Sequence, residues 1–257
     1  MFSGKKLLLI ATLFCIATIS FAQTVPPPNP NEYVEEKPVL LRNEFSFGIH
    51  LHTSGWGLEL KRGKNITGFK KWMFEAQFVS MKHPKEIKTI NPYYENSKSY
   101  VYGKLNTFNI LRLSTGRRNT IYSKADRSGI EVRFNYMGGL SLGITKPVYL
   151  DILAEEPPNS GLFDIVREKY DPEKHFVDNI YGRAPFTQGL DEIKFHPGVF
   201  AKAGFNFEYA PFHEDIKAIE VGAALDAFPT KIPIMAFAGN KQLFLTFYIT
   251  FIYGRKW

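Results

Sequence analysis

The chain has 257 residues, 44% of them hydrophobic, with 23 Phe, 13 Tyr, 3 Trp, a single Cys and a formal net charge of +7. Two of those charges are Lys5 and Lys6 in the leader and the rest are scattered. That excludes the concentrated basic footprint of a nucleic-acid binder. Beyond the leader there is no thiol for a disulfide or a Cys-held metal, and no apolar run near the ~18 residues of a transmembrane helix.

Lys5 and Lys6 precede an apolar run from Leu7 to Ile19, too short to span a bilayer, and Ser20-Phe21-Ala22 offers a small-x-small cleavage site before Gln23. Residues 1–22 therefore read as a removed signal peptide; an uncleaved anchor is the alternative. Cys15 lies inside it, after Phe14, where a lipidation site would need a small residue. Residues 23–42 form a Pro-rich extended tail, either a disordered linker or a docking segment.

Eight alternating segments follow. The first, about 44–53, puts Phe45, Phe47, Ile49 and Leu51 on one face. The second (55–62) does so with Trp56, Leu58 and Leu60, and the third (72–81) with Trp72, Phe74, Ala76 and Phe78. The fourth (105–115) alternates poorly, since Phe108 and Ile110 oppose Leu111 and Leu113, and predicts a bulge or change of phase. The fifth keeps one phase from Ile130 to Ile144, the sixth spans 198–210 and the seventh 217–228. The last runs from Lys241 to Trp257, with Leu243, Leu245, Phe247, Ile249, Phe251 and Tyr253 on one face. Its other face has no charge. One face apolar toward lipid and the other packed inward satisfies both.

The expected architecture is all-β: an eight-stranded antiparallel up-and-down transmembrane β-barrel over residues 43–257. With both termini in the periplasm, the long connections 82–104, 154–196 and 229–240 fall on the outer side. Trp56 then lies at the outer rim and Trp72 and Trp257 at the inner one; with Tyr209 and Tyr253 they form the expected lipid-interface girdles. A secreted soluble barrel or sandwich is the rival fold. It would turn its polar face outward, whereas Gly139, Ser141, Gly143, Gly222 and Ala224 on that face suit a crowded lumen.

The leader ending in Phe21-Ala22 before Gln23, the eight alternating segments and the ending Gly254-Arg255-Lys256-Trp257 resemble small outer-membrane β-barrels of the Bacteroidota, a porin-like family. The resemblance implies location in the cell outer membrane and insertion by the barrel-assembly machinery, with Phe247, Ile249, Phe251, Tyr253 and Trp257 as the insertion signal. Some members of that class serve secretion or assembly machines as subunits.

An eight-stranded barrel is just wide enough to be filled by side chains. The inward faces should hold Glu59, Lys61, Glu75, Gln77, Glu131, Arg133, Lys202, Glu208, Glu220 and Asp226, with Arg112 as a further base, in a salt-bridged network. A proton or ion path is the functional alternative to structural pairing. His50 and His52 share one face near Ser54 and Glu59. A His–Ser–acid hydrolase acting on outer-leaflet lipid, or a metal site, would use such residues. No nucleophile elbow is present and a His-x-His pair lacks the ligand count for a metal, so the expectation is no catalytic site, no cofactor and no metal.

The loops carry the partner expectation. Residues 82–104 hold Lys82, Lys85, Lys88, Lys98 and Lys104 against Glu86 and Glu95, with Tyr93, Tyr94, Tyr100 and Tyr102. Residues 154–196 hold nine acids against five bases, with Phe163 and Phe176. Opposite charge predicts that the two loops fold together as an outer cap. The acidic spacing does not fit an EF-hand. Pro157, Pro158, Pro172 and Pro185, with Leu162, Ile165 and Phe186, argue for order in the longer loop. Tyr93, Tyr94, Tyr100, Tyr102, Phe163 and Phe176 are the candidates for binding other envelope proteins. A basic collar on the inward turns (Lys61, Arg62, Lys64, Lys70, Lys71, Arg117, Arg118, Lys124, Arg127, Arg255 and Lys256) suits lipid phosphate, or ordinary solvated turns. The reading is an outer-membrane barrel with a plugged interior, an accessory subunit whose loops and tail meet partner proteins. A lipid hydrolase and a narrow channel are the alternatives.

Overall fold

The computed structural model describes residues 41–94, 97–124, 129–155, 163–210 and 214–257. The expectations for the leader and for the tail up to residue 40 lie outside the described residues. So do those for Glu95, Arg127, Glu156, Pro157, Pro158 and Leu162. Eight long strands close a barrel: β1 (Asn43–His52), β2 (Gly55–Thr67), β3 (Lys70–Met81), β6 (Asn106–Tyr122), β7 (Glu131–Pro147), β11 (Lys194–Glu208), β12 (Asp215–Ala227) and β13 (Leu243–Lys256). Around the barrel they run β1-β13-β12-β11-β7-β6-β3-β2, every pair antiparallel. This is up-and-down order, and the seam between first and last strand runs in unbroken register from Glu44↔Lys256 to His52↔Tyr248. Asn43 and Trp257 complete it by exchanging backbone hydrogen bonds of 2.9 and 3.0 Å. Closure leaves no open edge in the barrel sheet.

Alternation decides what faces where. On β13, Leu245, Phe247, Ile249, Phe251 and Tyr253 point outward and are exposed, while Thr246, Tyr248, Thr250 and Ile252 are buried inside. On β1, Phe45, Phe47, Ile49 and Leu51 face outward, and Glu44, Ser46 and His50 inward. A water-soluble barrel would show the reverse pattern. Apolar wall outside and charge within, with every backbone ladder closed, is the fold of a transmembrane β-barrel. Among the described residues no helix is long and apolar enough to cross a membrane.

The fourth barrel strand corrects one expectation. β6 carries no bulge between Phe108 and Leu113; it pairs without interruption with β3 and, up to Thr120, with β7. Phe108 and Ile110 share the inward phase with Arg112 and Ser114. They are apolar because that end of the barrel is packed with hydrophobic side chains. The register shift on this strand lies at Thr120/Tyr122, next to its turn.

The connections at the Thr53–Ser54 end build a cap. β4 (Lys88–Thr89) and β5 (Tyr100–Val101) pair in one loop, and β8 (Tyr149–Glu155), β9 (Phe163–Lys169) and β10 (Ile180–Arg183) make a three-stranded sheet in another. The third loop joins the first of these through the Lys104↔Met235 bridge. Both chain ends of the barrel lie at the opposite, turn-bearing end.

Candidate functional site

Inward side chains along the barrel are buried in successive layers. At the capped end Val79, Met81, Phe108, Ile110, Phe228, Ile232, Ile234 and Met235 form one buried apolar cluster. Ile232, Ile234 and Met235 come from the 228–242 connection, so that loop turns its apolar residues down onto the mouth of the barrel. Asn240 fixes it, its Oδ1 accepting from the Ile234 backbone N–H at 3.0 Å.

Beneath this layer Arg112 is clamped by Asp226 through two bonds, Nε–Oδ1 at 3.0 Å and NH2–Oδ2 at 2.5 Å. It donates a third to Gln77 at 2.6 Å, and its guanidinium lies 4.6 Å from the centre of the Phe200 ring. Gln77 passes the contact to Glu59 at 3.1 Å. Lys61 and Lys202 then sit among three carboxylates. Lys61 is 2.6 Å from Glu59 and 2.8 Å from Glu220; Lys202 is 2.7 Å from Glu75 and 3.4 Å from Glu220. The Tyr248 hydroxyl donates to Glu220 at 3.0 Å. A Cβ at Gly204 or Gly222 would lie 2.7 or 2.8 Å from that hydroxyl, so this pair of inward glycines makes the room for the ring.

Further down, Asn135 bridges Glu220 (2.6 Å) to Arg118 (2.9 Å), and Arg118 and Lys71 both hold Glu44 at 2.5 Å. At the terminal mouth Arg133 pairs with Glu131 (2.8 Å) and with Glu208, which Lys256 also meets at 2.5 Å. One polar chain thus runs from Asp226 to Glu44 along the barrel. Each charge in it has an opposite partner, which is what burial of charge requires.

The residues expected inside are all at inward positions here: Glu59, Lys61, Glu75, Gln77, Arg112, Arg133, Lys202, Glu208, Glu220 and Asp226 are buried, and Glu131 is partly so. Sequence reasoning missed Glu44, Asn135, Asn206 and Tyr248. Glu44 had its signal, sharing a face with Ser46 and His50. It also assigned Lys71, Arg118, Lys124 and Lys256 to an exposed collar, and named Lys61 both there and in the lumen. Lys61 stands in the lumen, Lys71 and Arg118 also turn inward, and Lys124 and Lys256 bend over its mouth toward Glu208. Arg62, Lys64, Lys70, Arg117 and Arg255 keep the outward position.

The His–Ser–acid arrangement is not assembled. His50 shares a 2.8 Å hydrogen bond with Thr250 and lies 3.8 Å from Glu59. His52 accepts from Ser54, but from its backbone N–H at 3.2 Å and not from the hydroxyl. The two imidazoles are 5.6 Å apart, centre to centre. Among the described residues no group of three or more His, Cys, Asp or Glu is placed to hold a metal ion.

In the cap, Tyr100, Leu150, Ile152, Tyr170 and Ile180 form a second buried cluster. It joins the 82–105 loop to the three-stranded sheet, and Asn91 adds hydrogen bonds to the carbonyls of Ile180 (2.7 Å) and Val177 (3.2 Å). The loops do pack together, but apolar burial and backbone bonds join them. The ion pairs Lys104–Glu86, Arg167–Asp151 and His175–Glu168 each stay within one loop. Tyr100 is therefore a core residue of the cap and not a surface for partners, and Tyr102 is half-buried against Tyr170 and Phe237. Tyr94 stands against Tyr181. Tyr93, Phe163 and Phe176 are exposed at 73%, 69% and 55%, joined by Ile87 and Phe237, which the sequence reading left aside, and by Ile165 and Phe186, which it took as signs of an ordered loop and which are exposed as well.

Trp56 is exposed on the wall toward the capped end; Trp72, Tyr209, Tyr253 and Trp257 are exposed toward the other. The Trp72 indole donates to the Thr115 hydroxyl at 2.6 Å.

These features define an eight-stranded barrel of the transmembrane type with buried charged side chains facing inward and a folded cap. No family model matches the chain, and no curated protein does. Among solved structures it is similar to Neisserial surface protein A, at 7% identity over 84% of this chain and 96% of that one, with a TM-score of 0.40. It is also similar to Ail, the attachment invasion locus protein of Yersinia pestis, at 9% identity over 84% and 97%, TM-score 0.37. The same protein in complex with the heparin analogue sucrose octasulfate gives 8% and 0.36 over equal shares. The fold assignment rests on this chain's own strand pairing.

Proposed function

We propose that the chain is an outer-membrane barrel that conducts nothing and serves as an accessory subunit, presenting its cap to other envelope proteins. Residues 1–22 direct export, both ends of the barrel face the periplasm, the cap faces outward, and the barrel-assembly machinery reads the strand ending at Trp257. The 23–42 tail is a second contact on the periplasmic side. The observation that carries this reading is the contrast between the two halves. The lumen is filled from the apolar cluster around Ile232 to the Arg133–Glu208 pair, whereas the cap leaves Tyr93, Phe163 and Phe186 in the open. Exposed aromatic residues on an ordered scaffold suit protein recognition.

A photo-crosslinking amino acid placed at Tyr93 or Phe163 in cells tests it. Discrete adducts larger than the monomer are expected from those positions and not from lipid-facing Phe247. Monomer alone at every cap position contradicts the accessory role. Stepwise currents from the purified barrel in a planar bilayer contradict the closed lumen.

A further inference from the structure

The barrel wall is not evenly filled. On its outer face a concavity of about 620 Å³ crosses β6, β7, β11, β12 and β13. That volume lies in the ~300–1,000 Å³ range of small-molecule sites. Two neighbouring rows of cross-strand partners make it. One runs Thr115↔Gly138↔Ala201↔Leu225↔Leu245, the other Arg117↔Tyr136↔Ala203↔Ala223. Gly138, Ala201, Ala203 and Ala223 form the floor, and Tyr136, Leu225 and Leu245 stand as walls. Elsewhere the same face carries large residues such as Phe205, Phe247 and Phe251.

Charge marks one end. Lys64 and Arg117 both point outward and flank Trp72 across the sheet. Among the described residues neither side chain has a hydrogen-bond or ion-pair partner. Four other bases at this end are neutralised, Lys71 and Arg118 turning inward to Glu44 and Lys124 and Lys256 to Glu208, while Arg62 and Lys70 also point outward but away from the groove's lining. Two unpaired cations beside an indole, at the head of an apolar trough open along its length, match one amphiphile. It has an anionic head and a long hydrocarbon chain.

We propose that this groove seats a diacyl glycerophospholipid with an anionic headgroup. Its phosphate lies on Arg117 and Lys64, its glycerol backbone lies at Trp72 and Tyr136, and one acyl chain lies over Gly138, Ala201 and Ala203. The guanidinium gives the phosphate two parallel donors, while the trough supplies apolar contact that a flat wall of Phe and Leu would not. The proposal rests on the membrane reading above.

The test uses the full mature chain with Trp56→Phe and Trp257→Phe, so that Trp72 alone reports. It is refolded into phosphatidylcholine vesicles containing a minor share of phosphatidylglycerol or phosphatidylcholine with brominated acyl chains. The brominated phosphatidylglycerol is expected to quench Trp72 about fivefold beyond its mole fraction. Arg117→Gln should reduce quenching to the mole fraction. Ala203→Leu, which fills the trough and leaves both cations, should lower it as well. Equal quenching by the two lipids, or a preference that survives Arg117→Gln, overturns the lipid seat. Heat-modifiable gel mobility of the same sample reads insertion separately. A chain that inserts but shows no preference refutes only the seat; one that does not insert refutes the membrane reading too.

Discussion

Asp226 shows how single residues hold this lumen. It is fully buried and its carboxylate faces the Arg112 guanidinium in a bidentate pair. Asp226→Ala leaves a buried guanidinium with Gln77 alone, and should destabilise the barrel by roughly 3–5 kcal/mol. Replacing both partners, Arg112→Met with Asp226→Leu, should recover most of that loss, because an apolar pair of similar volume avoids stranding a charge. Urea titration of the vesicle-inserted barrel, read by its heat-modifiable mobility, checks both. Most of the charged network is legible from alternation alone, since inward phase plus charge selects Glu59, Lys61, Glu75, Lys202 and Glu220. Who pairs with whom is not, because Lys61 and Glu220 meet across the lumen from strands far apart in sequence. Arg118 and Lys71 were misplaced for a related reason. They lie near turns, where a basic residue reads as solvated until the strand is known to continue past it.

At the scale of elements, the barrel strands announce themselves and the cap does not. Each barrel strand repeats an apolar outward face for several residues, and the period of two survives even in β6 once its inward Phe108 and Ile110 are seen to belong to an apolar layer. The cap strands are short, and β4 and β5 have two residues each, below what a period can reveal. The cap also has its own pH limit. Burial in the cluster with Tyr100 and Ile180, and the neighbouring Tyr102, push the Tyr170 hydroxyl from its ordinary 10.0 up to about 12. A raised value in the folded cap means that this stabilisation is complete below pH 10 and is lost as pH rises through about 12, because the unfolded chain ionises first. The cap is expected to loosen over that window while the barrel persists. Tyrosinate absorbance should rise there together with protease cleavage within 82–105 and 148–193. Tyr170→Phe, which has no hydroxyl to ionise, should shift the onset upward. Cleavage with the same pH profile in that variant contradicts the assignment.

For the whole molecule, one arrangement accounts for wall, lumen and cap together: a barrel set in the outer membrane, with its polar inward side chains out of contact with lipid and its cap at the end opposite Asn43 and Trp257. Cysteine labelling in intact cells tests this most directly, since Cys15 is the only cysteine of the sequence and Cys15→Ser leaves a chain with no thiol of its own. Tyr93→Cys in the cap and Ser123→Cys at the opposite end each introduce a single reactive site. A membrane-impermeant maleimide should label Tyr93→Cys on intact cells and Ser123→Cys only after the outer membrane is permeabilised. Labelling of Ser123→Cys in intact cells with Tyr93→Cys protected, or protection of both with the protein recovered in the soluble periplasmic fraction, would contradict the account.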